Sequence, residues 1–387
     1  MDQKLLKIVV FSLLPMVIAS LFQLQAQAAV AKPPVLSAKS AIVIEVSTGK
    51  ILYSKNSEER KYPASTTKMI TLITALEHGN LSDMVTVSEN AVEAEGSSLG
   101  LVSGERLKLE EILYGLMLES GNDAAVAVAE HISGSVEPFA VLMTEKARLI
   151  GATNTNFLNP SGLPNPNHYS TAHDLAKIAA YGYNNPLFAK IVNTRYKSIP
   201  SPGKEQVREL YNENKILRLY EGGNGVKTGY TDAAGRCLVS AAKVNNIQLV
   251  AVVLDADRMW EDSMSLLDYG FSQVRASVVY NKGDILKTLP VANGIANTVP
   301  LVVKEDIVLA VSDNDQDAFQ TIIDTPVSVE APVTAGRKIG QVRILYRDKE
   351  YSAVELVAAA EVERKSFFRL LWESVQSLLA FMMQRFT

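Results

Sequence analysis

Cysteine is nearly absent from this chain. Cys237 is the only one in 387 residues, which excludes an intrachain disulfide and any cysteine-based metal cluster. Histidine is almost as scarce: His78, His131, His168 and His173 form no HxxxH or HExxH pair, so no zinc site of that kind is encoded. Neither sign of charge prevails. The 38 Lys and Arg against 42 Asp and Glu leave a net charge of −4, which gives no electrostatic footprint for nucleic acid. Repeats and low-complexity tracts are missing. What remains is a chain that is 47% hydrophobic, long enough for two or three domains. Without cross-links, its core alone must hold it together.

The N-terminus reads as an export signal, residues 1–28. Lys4 and Lys7 give a positive start, residues 8–22 are largely apolar, and Ala26-Gln27-Ala28 matches a small-residue cleavage site. The mature chain then begins near Ala29; an uncleaved membrane anchor is the other reading. Either places the rest of the chain outside the cytoplasm.

After a Pro-containing linker, residues 41–46 and 51–54 read as the two strands of a hairpin around the turn Ser47-Thr48-Gly49. A helix is expected from Ser65 through Leu76, ended by Gly79. Helical patterns follow at 107–118, 123–131, 137–150 and 172–181, the last opened by Thr171 as N-cap with Asp174 three residues on. Residues 154–168 are rich in Asn, Pro and Gly and read as a long surface loop. Strands are expected at 225–230, 236–243 and 247–253, with a helix over 258–271. This makes one mixed α/β unit whose antiparallel sheet is closed by the N-terminal hairpin. Short apolar runs between 275 and 362, separated by Gly, Asp, Asn and Pro, predict a small all-β domain. In the last segment, 363–387, Phe367, Phe368, Leu371, Val375, Leu378, Leu379, Met382 and Phe386 recur at helical steps. Charged residues interrupt the run, so it is too short and too charged to span a bilayer. It fits an amphipathic helix lying in a membrane interface; a helix docked on its own protein and a dimer helix are the other readings.

Three short motifs carry the chemistry. Ser65-Thr66-Thr67-Lys68 puts a serine and a lysine on one helical face. If buried, the lysine loses its proton and serves as base for the serine without any histidine. Ser120-Gly121-Asn122 falls in a break between helices, where Ser120 could relay a proton and Asn122 could bond both substrate and Lys68. Taken singly, either motif is equally a helix start. Lys227-Thr228-Gly229 heads a strand. Gly229 leaves one face bare for a peptide to lie alongside, and Lys227 and Thr228 could hold a carboxylate. The backbone N–H groups of Ser65 and Tyr230 would form the oxyanion hole.

In this order the three motifs form the signature of serine acyl-transfer enzymes of the penicillin-binding and β-lactamase group. The chain resembles the low-molecular-mass penicillin-binding proteins, specifically the D-alanyl-D-alanine carboxypeptidases. Further similar stretches are Asn159-Pro160-Ser161-Gly162-Leu163 followed by His168, Asn214-Lys215-Ile216-Leu217 before the third motif, and Leu266-Leu267-Asp268-Tyr269-Gly270-Phe271. The resemblance implies a β-lactamase/transpeptidase-like catalytic domain over 36–274, a β-rich domain over 275–362 and the terminal anchor. It implies that Ser65 is acylated by the penultimate D-alanine of a peptidoglycan stem peptide, releasing the terminal D-alanine. Lys68 would be the base, with Ser120 assisting deacylation, and β-lactam antibiotics would acylate Ser65 as substrate mimics. No cofactor, metal or nucleic acid is implied, and the enzyme would sit at the outer face of the cytoplasmic membrane.

One departure is that many members carry histidine where this chain has Tyr230. A basic residue aiding the substrate's terminal carboxylate is placed near Arg258, and His168 and Asp174 read as structural. A serine β-lactamase is disfavoured because residues 151–170 hold no Glu or Asp to drive deacylation. An endopeptidase acting on peptidoglycan cross-links would use the same residues. A catalytically silent penicillin-sensing or scaffold protein is disfavoured by the intact motifs.

Overall fold

The computed structural model describes residues 32–201, 207–311 and 318–369, together with 371, 372, 375 and 376. The export-signal stretch and most of the terminal segment lie outside the described residues.

Continuous apolar runs decide the centre of the fold. Strands β1 (Ser40–Glu45) and β2 (Ile51–Lys55) pair as the expected hairpin. Three more strands, β3 (Gly223–Thr231), β4 (Gly235–Val244) and β5 (Ile247–Leu254), complete an antiparallel sheet in the order β2-β1-β5-β4-β3. On β5, Val250, Val252 and Leu254 enter one core while Leu249, Ala251 and Val253 enter another. Both faces of the strand are apolar, so the sheet must be covered on both sides. Adjacent Asn245 and Asn246, at φ 49° and 68°, make the tight turn between β4 and β5.

Helix α6 (Met259–Gln273) covers one face through Leu266 and Leu267. The other face carries a helical block: α1 (Lys68–His78), α2 (Leu109–Leu118), α3 (Asn122–Ser133), α4 (Val136–Ile150) and α5 (Ala172–Tyr183). In α1 every residue from Lys68 to Ala75 is buried, the mark of a helix enclosed on all sides. Thr171 caps α5 by accepting from the Asp174 N–H at 3.0 Å, as expected.

Residues 154–168 form a loop whose stretch 164–167 is exposed as expected, but its middle departs from the surface. Pro160, Ser161 and Gly162 are buried, because Asn159 folds the segment inward: its Oδ1 accepts from the N–H groups of Ser161 and Gly162 at 3.2 and 2.7 Å. Polar composition made the segment look solvated, yet its polar groups bond to one another and to the α1 region.

Beyond α6 the regular elements of the described residues up to Ala358 are strands. A six-stranded sheet, built from strands between Ile285 and Ala358, encloses a core including Val299, Leu301, Val342 and Leu356. The strands Arg275–Tyr280 and Ile307–Val311 pair beside it. Helical backbone resumes at residues 367–369, 371–372 and 375–376. Among the described residues no helix is long and apolar enough to cross a membrane.

Candidate active site

Ser65 stands in a single 3₁₀ turn, Ala64–Thr67, that leads directly into α1. The residue before it, Ala64, has φ 46°, a left-handed conformation that costs a non-glycine residue on the order of 1 kcal/mol. That turn lies against β3. A Cβ added at Gly229 would meet the Ser65 nitrogen at 2.9 Å and the Ala64 Cβ at 3.1 Å. The bare face expected of Gly229 therefore has a specific occupant, the backbone of Ser65 itself. β3 is also the last strand of the central sheet, so its outer edge faces the cleft.

Lys68 is fully buried, and its Nζ has three oxygen neighbours. It lies 3.0 Å from Ser65 Oγ, 2.6 Å from Asn122 Oδ1 and 3.0 Å from the Ser161 carbonyl oxygen. The orientation of the Asn122 amide is fixed, because its Nδ2 donates to the Glu95 carbonyl. The oxygens of Asn122 and Ser161 can only accept. A neutral amine spends its two hydrogens on them and keeps a lone pair for the Ser65 hydroxyl. Electrostatics favour that form. Burial, and then the positive charge of Lys227, hold the Lys68 amine well below the ordinary lysine range; Glu213 and Asp123 oppose them more weakly.

The Asn159–Gly162 turn supplies the Ser161 carbonyl. Gly162 has φ 92°, and a Cβ there would come within 1.9 Å of the Ala64 carbonyl oxygen. No other residue lets this turn close on the loop that carries Ser65. Asn122 and Asp123 do more than start α3. The Asn122 N–H donates to Ser97 O at 2.7 Å, and the Asp123 carboxylate accepts from the Leu99 and Leu101 N–H groups and from Ser98 Oγ. Ser120 lines the cleft, with φ 62°.

Lys227 is 1% exposed. Burial brings its amine down to about 8, against the raising influence of Glu213 and Glu119. It donates to Thr228 Oγ1 at 3.3 Å, and that hydroxyl donates to Glu213 Oε2 at 2.9 Å. Tyr230 is 60% exposed and its hydroxyl donates to Asp232 Oδ1 at 2.8 Å. These groups border a cleft of about 770 Å³ whose lining includes Ser65, Ser120, Glu213, Thr228, Gly229 and Tyr230.

The eight residues singled out from the sequence thus converge on one place. Arg258 is exposed and its backbone N–H donates to Ser37 Oγ at 2.9 Å; the residues after it, Met259 and Trp260, line the cleft together with the cations Lys215 and Arg218. Glu213, Glu119 and the Ser161 carbonyl were not anticipated. Ser161 and Lys215 do fall inside stretches whose resemblance was noted, whereas a lone glutamate carries no motif. His168 is 1% exposed; its Nδ1 accepts from the Leu158 N–H at 3.2 Å, so the proton sits on Nε2 and is donated to Thr67 Oγ1 at 3.0 Å. It braces the turn that carries Ser65.

Residues 27–258 match the family model described as D-alanyl-D-alanine carboxypeptidase, and residues 276–364 match that of the penicillin-binding protein 5 C-terminal domain. The chain belongs to the D-alanyl-D-alanine carboxypeptidase family. It is thereby a serine-type carboxypeptidase of cell-wall biogenesis with a low-molecular-mass penicillin-binding protein architecture. The D-alanyl-D-alanine carboxypeptidase DacF of Bacillus subtilis is 37% identical over 340 residues, covering 86% of this chain and 87% of its own. Among solved structures, the carboxypeptidase DacD of Francisella tularensis aligns with a TM-score of 0.60 at 26% identity, over 89% of this chain and 98% of its own. A peptidoglycan synthesis regulatory factor (PBP3) of Streptococcus pneumoniae aligns with a TM-score of 0.66 at 26% identity, over 85% of this chain and all of its own.

Proposed function

We propose that this carboxypeptidase removes the terminal D-alanine from peptidoglycan stem peptides through an acyl-Ser65 intermediate, with Lys68 as base. The observation that carries the reading is the buried Lys68 amine, 3.0 Å from Ser65 Oγ and with two acceptor-only oxygens to take its hydrogens.

The substrate's C-terminal carboxylate is bound by the charged Lys227 and the Thr228 hydroxyl, and its backbone extends along the free edge of β3. Ser65 Oγ attacks the carbonyl carbon of the penultimate D-alanine as its proton passes to Lys68 Nζ. The oxyanion is held by the Ser65 and Tyr230 N–H groups; losing one such donor costs about 3 kcal/mol of barrier. The C–N bond then breaks, and the leaving amine takes the proton from Lys68 by way of Ser120. Water, deprotonated by the same lysine, cleaves the acyl ester. β-Lactams, which present an equivalent carbonyl and carboxylate, acylate Ser65 in the same manner.

The same reading places the enzyme outside the cytoplasm, held at the membrane surface by residues 363–387. Supporting this, Phe367, Phe368 and Trp372 are 73%, 80% and 64% exposed, a concentration of aromatic surface suited to an interface. It also takes residues 36–274 as the catalytic domain and 275–362 as a separate β-rich domain.

A fluorescent penicillin tests the chemistry. Wild type is expected to be labelled covalently and Ser65→Ala to stay dark, with D-alanine release lost in the same variant. Labelling of Ser65→Ala would remove Ser65 as the nucleophile.

A further inference from the structure

One charged side chain in the cleft has no part in acyl transfer. Glu213 Oε2 accepts from Thr228 Oγ1 at 2.9 Å and lies 3.8 Å from Lys227 Nζ. These are the two groups that the proposed function assigns to the substrate's terminal carboxylate. Glu213 reaches them with the same chemical group.

Its position is built in. The Glu213 N–H donates to Leu118 O at 3.2 Å, at the end of α2. Its neighbours Asn212 and Asn214 are 6% and 1% exposed. Asn212 Nδ2 donates to Thr194 O at 2.9 Å, and Asn212 Oδ1 accepts from the Asn214 N–H at 2.9 Å. A backbone pinned on both sides thus presents the carboxylate to β3. The side chain itself is 47% exposed, so it can swing into solvent without unfolding anything.

We propose that Glu213 is a resident competitor for the carboxylate site, which a substrate's C-terminal carboxylate must displace before Ser65 can react. The proposal rests on the assignment of Lys227 and Thr228 to that carboxylate. Two carboxylates cannot share one ammonium at close range without mutual repulsion. The exchange is charge-neutral at Lys227, because the substrate takes over the role of Glu213 as its counter-charge. What Glu213 changes is the fraction of molecules ready to bind: apparent affinity falls in proportion to that fraction. It also alters selectivity. A neutral C-terminal carboxamide can donate to Glu213 and need not expel it, so Glu213 narrows the preference for a free acid over an amide.

The test compares two probes, an acetylated tripeptide ending in D-Ala-D-Ala and the same peptide with a C-terminal carboxamide. Glu213→Gln keeps the shape and can still accept from Thr228, but loses the charge. The ratio of kcat/KM for acid over amide is expected to rise about tenfold, through a lower KM for the acid, if Glu213 holds the site nine-tenths of the time. Glu213→Ala is expected to move the ratio in the same direction. A ratio unchanged or lowered in both variants would overturn the proposal and make Glu213 a residue that merely positions Thr228. Failure of fluorescent penicillin to label wild type would instead overturn the assignment of the cleft, and this proposal with it.

Discussion

Two buried lysines share this cleft, and the chemistry needs them in opposite protonation states. Lys68 must be neutral to take a proton, and Lys227 must be charged to hold a carboxylate. Burial lowers both, but Lys227 keeps Glu213 and Glu119 as counter-charges and titrates at about 8, while its own charge helps push Lys68 further down. As pH rises through about 8, Lys227 loses its proton and the carboxylate loses its anchor. We therefore expect KM to climb about tenfold per pH unit above that point, as a single deprotonation requires, with kcat changing less. A KM that is flat from pH 7 to 10 would contradict the assignment. Lys68→Met is expected to lower Ser65 acylation by at least 10²-fold, the usual scale for a lost general base, while the protein stays folded by circular dichroism.

His168 gives a residue-scale prediction about stability. Burial lowers its pKa from 6.5 to about 4. An unfolded chain therefore binds a proton between those values that the folded one does not, and stability falls as pH drops through the window. The loss is on the order of 3 kcal/mol across it. Urea melts at pH 7 and 4.5 should show this slope in wild type and a shallower one in His168→Gln. Equal slopes would mean that His168 is hydrated in the folded state.

At the scale of elements, the site is the meeting of a 3₁₀ turn, a strand and an inward-folded loop. Gly229 sets how near β3 comes to Ser65, and Gly162 sets how near the Asn159–Gly162 turn comes to Ala64. Gly229→Ala forces β3 off the turn by a few tenths of an ångström. Overpacking of that kind costs about 1–3 kcal/mol, and displacing the nucleophile's surroundings is expected to slow penicillin acylation by about 10²-fold. Gly162→Ala, with a far closer clash and a left-handed backbone, is expected to be the worse of the two in thermal melts. If Gly229→Ala were acylated at the wild-type rate, the close approach of strand to serine would have no catalytic weight.

At the scale of the whole molecule, the catalytic sheet and the β-rich region divide the labour unequally. Every residue of the proposed mechanism lies between Ser65 and Tyr230, whereas the exposed Phe367, Phe368 and Trp372 lie after Glu363. Removal of residues 364–387 is expected to leave D-alanine release intact and to abolish cosedimentation with vesicles containing anionic lipid. Retained cosedimentation would refute the terminal segment as the membrane contact.

Periodicity and motif order determined much of this in advance. The hairpin of β1 and β2, the run from β3 to β5 and the helices from α1 to α6 follow from local patterns, because apolar runs and the turn and cap residues that bound them are written locally in the sequence. The serine, the two lysines and the KTG glycine were legible because each falls in a short motif of fixed spacing. What the chain alone could not state is which loop closes over the lysine. The Asn159–Gly162 turn looked solvated, since polar composition is the same whether side chains bond to water or to one another. Glu213 likewise carries no local signal: its meaning comes from standing beside Thr228, fifteen positions further along. Local patterns set which elements form. The long-range approach of loops to β3, which depends on how those elements pack, set the protonation of both lysines and decided what occupies the site.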